Sequence, residues 1–308
     1  MSSALNGFRL NLGLPPRFAN LLVEDGPLQR LISWCSPLAL PIEVPFFCFW
    51  TSLPAHLRYA ILMVPWHFWL ILHKALPQSF VCRGMSDALS VEAHALGNIL
   101  YWVRLIPVNK RRMRFSLNQL DSSCPPSMRL RLESVRLPEV RGTYLHTGRS
   151  DKVIYWIFGG AFVGGSIKGS MGFAEQYGRQ SGCDVFMIDM RLYPENLIED
   201  AVFDACRGYE WLLTKTSAES VIIYGLSSGG GIALRLLQLA AENQRNRSRF
   251  FQSSATPQPA GAVLCGAWIR YTTLTRSMKE FTVVDWVESS VAVNIHMLDS
   301  TSTIQKEI

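Results

Sequence analysis

The chain has 308 residues, of which 48% are hydrophobic and 18% are charged, with 22 glycines and 16 prolines. This composition is typical of a globular protein, and it excludes a disordered, collagen-like or low-complexity chain. The seven cysteines show neither a CxxC pair nor zinc-like spacing. We therefore expect free thiols in a reducing compartment, with no disulfide framework and no metal site.

The net charge of +6 is unevenly distributed along the chain. Residues 1–150 contain 16 Lys and Arg against 8 Asp and Glu, whereas the remaining residues contain 14 against 16. A basic N-terminal half suits acidic lipid headgroups or nucleic acid. The densest basic run, Lys110, Arg111, Arg112 and Arg114, is short and isolated, so we expect no nucleic-acid partner.

Two apolar stretches in the N-terminal region raise the question of a membrane. Residues 36–53 include Glu43 and three prolines, which exclude a regular helix. Residues 59–72 are apolar nearly all round, but these 14 residues are fewer than the ~20 that span a bilayer. Trp66, Phe68 and Trp69 are aromatic residues that favour membrane interfaces. Two interpretations stay open: a buried helix of a lid, or a segment within residues 36–74 that contacts a membrane surface.

The first 125 residues consist of helical pieces separated by prolines, and after Cys124 the pattern changes to alternating strands and helices. This change predicts two domains, a hydrophobic helical cap or membrane-apposed region over 1–125 and a catalytic domain over 126–308. Residues 1–20 lack a continuous apolar core, so no cleavable signal peptide is indicated. We expect a cytoplasmic or membrane-associated protein, with the endoplasmic reticulum as one candidate.

The alternation in the second domain predicts an α/β fold with a doubly wound, mostly parallel sheet. Two connecting segments are predicted as loops, a Gly-rich one over 159–170 and a polar surface loop over 243–259. The predicted strands cover 129–137, 142–146, 153–158, 184–189, 221–224 and 261–265, and the predicted helices cover 171–181, 197–213 and 229–242.

One motif carries the first indication of chemistry. Gly225-Leu226-Ser227-Ser228-Gly229 follows a predicted strand and opens a predicted helix, which is the context that gives G-x-S-x-G its meaning. A serine nucleophile here lies on a tight turn, and the flanking glycines let neighbouring backbone pass close by. The alternative is a Gly-rich strand-to-helix turn without chemistry, as in nucleotide-binding folds.

Two further motifs follow earlier strands. Phe158-Gly159-Gly160-Ala161-Phe162 offers backbone N–H groups of the kind that stabilise an oxyanion in acyl transfer, although alone it is also typical of a flexible loop. The sequence D-M-R-L-Y-P-E at 189–195 follows the next strand directly. All three motifs are therefore expected at the same edge of the sheet, because parallel strands end together.

The three motifs together resemble those of the hormone-sensitive-lipase-like branch of the α/β hydrolases, which includes arylacetamide-deacetylase-like esterases. That family has H-G-G-G-F, D-Y-R-L-A-P-E and G-D-S-A-G-G where this chain has F-G-G-A-F, D-M-R-L-Y-P-E and G-L-S-S-G-G, in the same order. The resemblance implies Ser227 as nucleophile and an oxyanion hole formed by the amides of Gly159, Gly160 and Ser228. It also implies that Arg191 and Glu195 shape the floor of the site, and that no cofactor is needed.

The resemblance is incomplete at the catalytic base. In this fold the acid and the histidine follow the nucleophile on later turns, and family spacing places them beyond Ile308. His296 alone among the six histidines follows Ser227, in a segment predicted as helix over 283–298, so we expect a surface or cap-packing histidine. Asp285 and Asp299 suit the acid no better. We therefore expect a C-terminally truncated hydrolase that lacks the last strands of its sheet.

Three functional hypotheses follow from these features. The first is a serine carboxylic-ester hydrolase, of esterase or lipase type, that acts on a small apolar ester or lipid. The second is a catalytically impaired or non-catalytic protein of the same fold that binds a lipid or a partner. The third is an N-terminal membrane-associated region followed by a degraded hydrolase remnant.

Overall fold

The structure is a computed structural model. It describes residues 45–46, 48–75, 90–93, 95–96, 114–115, 117–119, 123–137, 140–148, 151–245 and 248–269. These residues fall into two compact units, one containing those up to residue 96 and the other those from residue 114 onward. Residues 114–119 thus group with the sheet, while the division into domains at 125 and 126 stays a prediction.

The first unit is built around helix α1, Ala55–Ala75. The carbonyl oxygen of Pro54 accepts hydrogen bonds from the backbone N–H groups of Leu57 and Arg58 at 3.0 Å, which opens the first turn. The indole N–H of Trp69 donates to the Ala95 carbonyl oxygen at 3.1 Å, so one face of α1 packs within this unit. No helix among the described residues is both long and apolar enough to cross a membrane.

The second unit contains a six-stranded sheet in the order β1-β2-β4-β3-β5-β6. β1 and β2 pair antiparallel, and β2 pairs antiparallel with β4, whereas the β4, β3, β5 and β6 strands run parallel. The strands are β1 Arg131–Arg136, β2 Arg141–His146, β3 Val153–Ile157, β4 Asp184–Ile188, β5 Val221–Leu226 and β6 Gly261–Cys265. The predicted mostly parallel α/β sheet is therefore confirmed.

Three helices connect the parallel strands: α2 Ile167–Ser181, α3 Ile198–Leu213 and α4 Ser228–Asn243. Every residue of β3 is buried, as expected for a continuous apolar strand in the middle of a parallel sheet. The crossovers also direct the carboxyl ends of β3, β4 and β5 to one edge. The three sequence motifs begin at that edge.

Two local expectations differ from the structure. Helix α2 begins four residues before the predicted start, because the Ser166 hydroxyl caps it by accepting a hydrogen bond from the Gly169 N–H at 3.0 Å. The prediction of a surface loop over 243–259 is wrong at Phe250 and Phe251, which are buried. The segment folds inward because the Asn243 amide donates hydrogen bonds within it, to the Ser253 carbonyl and the Thr256 hydroxyl.

Candidate active site

Ser227 lies on the turn between the end of β5 and the start of α4. Its backbone has φ 54° and ψ −120°, a conformation that a residue with a Cβ rarely adopts. The Ser227 N–H donates to the Cys265 carbonyl oxygen at 2.8 Å, and its carbonyl oxygen accepts from Trp268 N–H at 3.0 Å. These two hydrogen bonds, from residues at and after the end of β6, hold the turn in its strained conformation. Strained backbone conformations of this kind are concentrated at functional sites.

The backbone of Gly159 lies directly against this turn. A Cβ added at Gly159 would be 2.6 Å from the Leu226 carbonyl oxygen and 3.0 Å from the Ser227 Cβ. Gly229 allows a second close approach, since a Cβ there would be 2.3 Å from the Ile157 carbonyl oxygen. Glycine at these two positions therefore lets the end of β3 meet the serine turn and the first turn of α4.

The loop after β3 has an unusual backbone. Gly160 has φ 143°, and the next two residues, Ala161 and Phe162, have φ 52° and 63° although they carry side chains. The Gly160 carbonyl oxygen accepts from the N–H groups of the residues three and four positions later, at 3.1 and 3.0 Å. The buried Ser228 hydroxyl accepts from Phe162 N–H at 3.3 Å, which ties the loop to the start of α4.

Backbone N–H groups at the start of α4 add to the electrostatics of this edge. The amides of the first turn of a helix lack partners within the helix, and the helix dipole is positive there. Ser228 is the first residue of α4. Strand β3 ends at Ile157, and Gly159 and Gly160 follow it after one residue, Phe158. The three predicted oxyanion donors thus belong to two segments that the structure brings together beside Ser227.

Arg191 follows β4 and binds helix α3. Its backbone N–H and its guanidinium Nε and Nη2 groups all donate to the buried Asp204 carboxylate, at distances between 2.7 and 3.1 Å. Its Nη1 lies 3.2 Å from the Asp200 carboxylate. Burial raises the pKa of Asp204, whereas the hydrogen bonds from Arg191 oppose that rise. Arg191 therefore attaches the loop after β4 to helix α3.

Glu195, at the end of the same loop, forms an ion pair with Arg114. Arg114 also donates from Nε to the Val163 carbonyl oxygen at 2.6 Å and from Nη2 to the Tyr193 carbonyl oxygen at 2.9 Å. One guanidinium thus connects the loop after β3 with the loop after β4. The sequence showed Arg114 only as part of a basic run, and no spacing signal joins it to residues 49 and 81 positions away.

Among the described residues of the sheet unit, no histidine lies beside Ser227. Of the histidines described with side chains, His146 alone belongs to the sheet unit, at the end of β2. Its Nδ1 is 3.6 Å from the carboxylate of Asp184, the first residue of β4. His146 therefore lies at the amino end of the parallel strands, opposite the edge that holds Ser227. His296, Asp285 and Asp299 lie outside the described residues.

Comparisons with known proteins identify the fold of this unit. Residues 154–297 match the family model of the alpha/beta hydrolase fold. The protein has the α/β hydrolase fold. The chain resembles an esterase from the bacterial hormone-sensitive lipase family, with a TM-score of 0.60 and 22% identity over 70% of this chain and 71% of that one.

Other solved structures, of an esterase/lipase and of a hormone-sensitive lipase homologue, are similar to a comparable extent. An esterase/lipase from an uncultured bacterium matches with a TM-score of 0.56 and 24% identity, over 65% of this chain and 66% of that chain, just under two thirds of its length. A hormone-sensitive lipase homologue from a metagenome library matches with a TM-score of 0.57 and 24% identity, covering 66% of each chain. No curated protein sequence matches the chain.

The resemblance that the three motifs indicated is therefore confirmed at the level of the fold. The geometry brings Ser227, Ser228, Gly159 and the loop of Gly160 together at one edge of the sheet. Arg191 and Glu195 lie in the neighbouring loop. The chemical roles assigned to these residues stay predictions.

Proposed function

We propose that this protein is a serine carboxylic-ester hydrolase of esterase or lipase type, with Ser227 as its nucleophile. The observation that carries the proposal is the serine turn itself, with its positive φ and with Gly159 in contact with it. A nucleophile on such a turn projects from the carboxyl edge of the sheet, where a substrate can approach it. The resemblance to esterases of the hormone-sensitive lipase family supports the same reaction.

In the proposed reaction, the Ser227 hydroxyl attacks the carbonyl carbon of an ester. The carbonyl oxygen becomes an oxyanion that accepts hydrogen bonds from the N–H groups of Gly159, Gly160 and Ser228. Collapse of the intermediate releases the alcohol and leaves an acyl group on the serine, and water then hydrolyses that acyl-enzyme. The step requires a base to take the hydroxyl proton, and His146, the histidine described in the sheet unit, lies at the opposite edge of the sheet.

The surroundings of the loop favour an apolar acyl group. A narrow crevice beside the loop after β3 is lined mainly by apolar side chains, among them Phe162, Met190, Leu192 and Ile232. Ser228 forms part of its wall. Apolar walls bind hydrocarbon through the area they remove from water, and the cation of the lining, Arg191, already pairs with the Asp204 carboxylate. The proposed substrate class is therefore a small apolar ester or lipid.

Labelling with a fluorophosphonate probe tests this proposal. We expect the probe to modify Ser227, and we expect Ser227→Ala to remove the label completely. Ser217→Ala is the matched control, because Ser217 is exposed and precedes β5 at the opposite end of that strand. Failure of the folded wild-type protein to react would contradict the proposal and favour the non-catalytic alternative, in which the same fold binds a lipid or a partner.

A pair of glycine variants tests the oxyanion hole. A methyl group at Gly159 would collide with the Leu226 carbonyl oxygen, so we expect Gly159→Ala to slow labelling of Ser227 by at least about tenfold. Gly261→Ala is its control, because a Cβ at Gly261 meets nothing within 4 Å. Equal labelling rates in the two variants would show that the loop after β3 does not take part.

A further inference from the structure

Helix α1 exposes a narrow row of large apolar side chains. Leu57, Ile61, Val64, Phe68 and Ile71 recur at alternating spacings of four and three residues, so they lie on one face of the helix. All five are exposed, and Val64 is 72% and Phe68 63% accessible to solvent. We name these five side chains the apolar row. A contiguous apolar patch of this kind on a protein surface marks an interaction site.

Another side of α1 packs inside its own unit, although Tyr59 and Leu62, which also point away from the row, are 37% and 38% accessible to solvent. Arg58 is fully buried, and Trp69 donates its indole N–H to the Ala95 carbonyl oxygen. The apolar row is therefore not the packing face of the helix, and it needs another occupant. Just before the helix, Phe46 and Phe49 are also exposed and add aromatic surface to the same unit.

The charges of the helix distinguish between a membrane and a second helix. Helix α1 contains no Asp or Glu, and its charged residues are Arg58 and Lys74. On the helix, His67 and Lys74 flank the apolar row along one side. A second copy of α1 would offer Lys74 no acidic partner, because the helix contains no Asp or Glu. Anionic lipid headgroups would pair with Lys74 while the acyl region takes the apolar row.

We propose that the apolar row of α1 is a membrane-docking surface that lies in the plane of an anionic lipid interface. Leu57 and Phe68 of the row are residue types found on the apolar face of helices that lie in a membrane interface. The proposal does not depend on the chemistry of Ser227, although a protein held at a lipid surface would meet apolar esters there. The proposed partner of the apolar row is therefore a bilayer that contains phosphatidylserine.

Co-sedimentation of the full chain with vesicles tests the proposal. We expect binding to phosphatidylcholine vesicles that contain phosphatidylserine, and weaker binding to pure phosphatidylcholine. Phe68→Asp and Val64→Asp place a carboxylate in the apolar row, and each should weaken binding by at least about tenfold. Both residues are exposed, so these variants should fold, and a far-UV circular dichroism spectrum unchanged from that of wild type confirms that they do.

Met128→Asp is the matched control, because Met128 is an 86% exposed apolar side chain in the other unit, and this variant should bind vesicles as wild type does. Lys74→Gln should reduce binding only to the vesicles that contain phosphatidylserine. Equal binding of wild type and Phe68→Asp would overturn the proposal. So would a stable dimer in sedimentation velocity that Phe68→Asp dissociates, combined with no vesicle binding, because the occupant would then be a second copy.

Discussion

At the scale of single residues, Arg114 shows how a side chain outside every motif can hold the site. Its guanidinium donates to the Val163 and Tyr193 carbonyl oxygens and pairs with the Glu195 carboxylate. The planar fork of an arginine can bind three acceptors at once, whereas a lysine ammonium is a compact charge without that geometry. Because Val163 follows the proposed oxyanion glycines, Arg114 is a positioning residue for them.

We predict that Arg114→Ala slows fluorophosphonate labelling of Ser227 by about tenfold or more, since small displacements of positioned groups are costly. Arg114→Lys should recover only a small part of the rate, because it cannot contact both loops. Arg249→Ala is the control, as Arg249 is an exposed arginine that pairs with Glu199 away from the loop after β3. A wild-type rate in Arg114→Ala would show that the two loops hold their geometry without it.

At the scale of elements, the loop after β4 depends on its attachment to helix α3. The Asp204 side chain is fully buried and receives three different N–H donors from Arg191. Asp200 strengthens the same end of α3, because its carboxylate accepts from the Leu197 N–H at 2.8 Å. Arg191 and Asp204 therefore join the loop after β4 to the N-terminal part of helix α3.

We predict that Arg191→Ala lowers the free energy of unfolding by on the order of 3 kcal/mol, because it leaves the Asp204 carboxylate buried without its cation. The free energy of unfolding of Arg191→Lys should lie between those of Arg191→Ala and the wild-type protein. Urea denaturation of the three proteins measures this order. An Arg191→Ala protein as stable as wild type would show that water replaces the guanidinium at Asp204.

The loss in free energy of unfolding that we predict for Arg191→Ala should also depend on pH. Burial raises the folded-state pKa of Asp204 above its ordinary 3.8, so the folded protein binds the proton more tightly than the unfolded chain. The contribution of this group to stability is therefore fully present below the unfolded-state pKa and is lost as the pH rises through the folded-state pKa. Without Arg191 the folded-state pKa rises further. The stability difference between variant and wild type should thus grow with pH and shrink in acid.

At the scale of the whole molecule, the sheet follows from the sequence pattern, whereas several contacts do not. Apolar runs such as β3 and β5 carry their own signal, and G-x-S-x-G and F-G-G-A-F mark the turns that follow them. The start of α2 depends on one capping hydroxyl, at Ser166. The inward fold of the segment that contains Phe250 depends on hydrogen bonds from the Asn243 amide. Arg114 could not be found by spacing, because its partners approach only after the parallel strands have assembled.

The same topology leads to a prediction about the base. His146 lies at the amino end of the parallel strands, with its Nε2 3.4 Å from Glu133 and its Nδ1 3.6 Å from Asp184, and the serine turn follows the carboxyl end of β5. A base must come within hydrogen-bond reach of the serine hydroxyl. We therefore predict that His146→Ala hydrolyses a p-nitrophenyl ester at the wild-type rate.

His296 gives the complementary measurement, with Ser227→Ala as the background. We predict that His296→Ala hydrolyses a p-nitrophenyl ester at the wild-type rate, because no strand is predicted before His296, as the fold requires for its base. Loss of a true base costs roughly 10⁴ to 10⁶ in turnover, which is far outside the error of the assay. A fast wild-type rate that His296→Ala abolishes would make His296 the base and would show that its prediction as a surface residue is wrong.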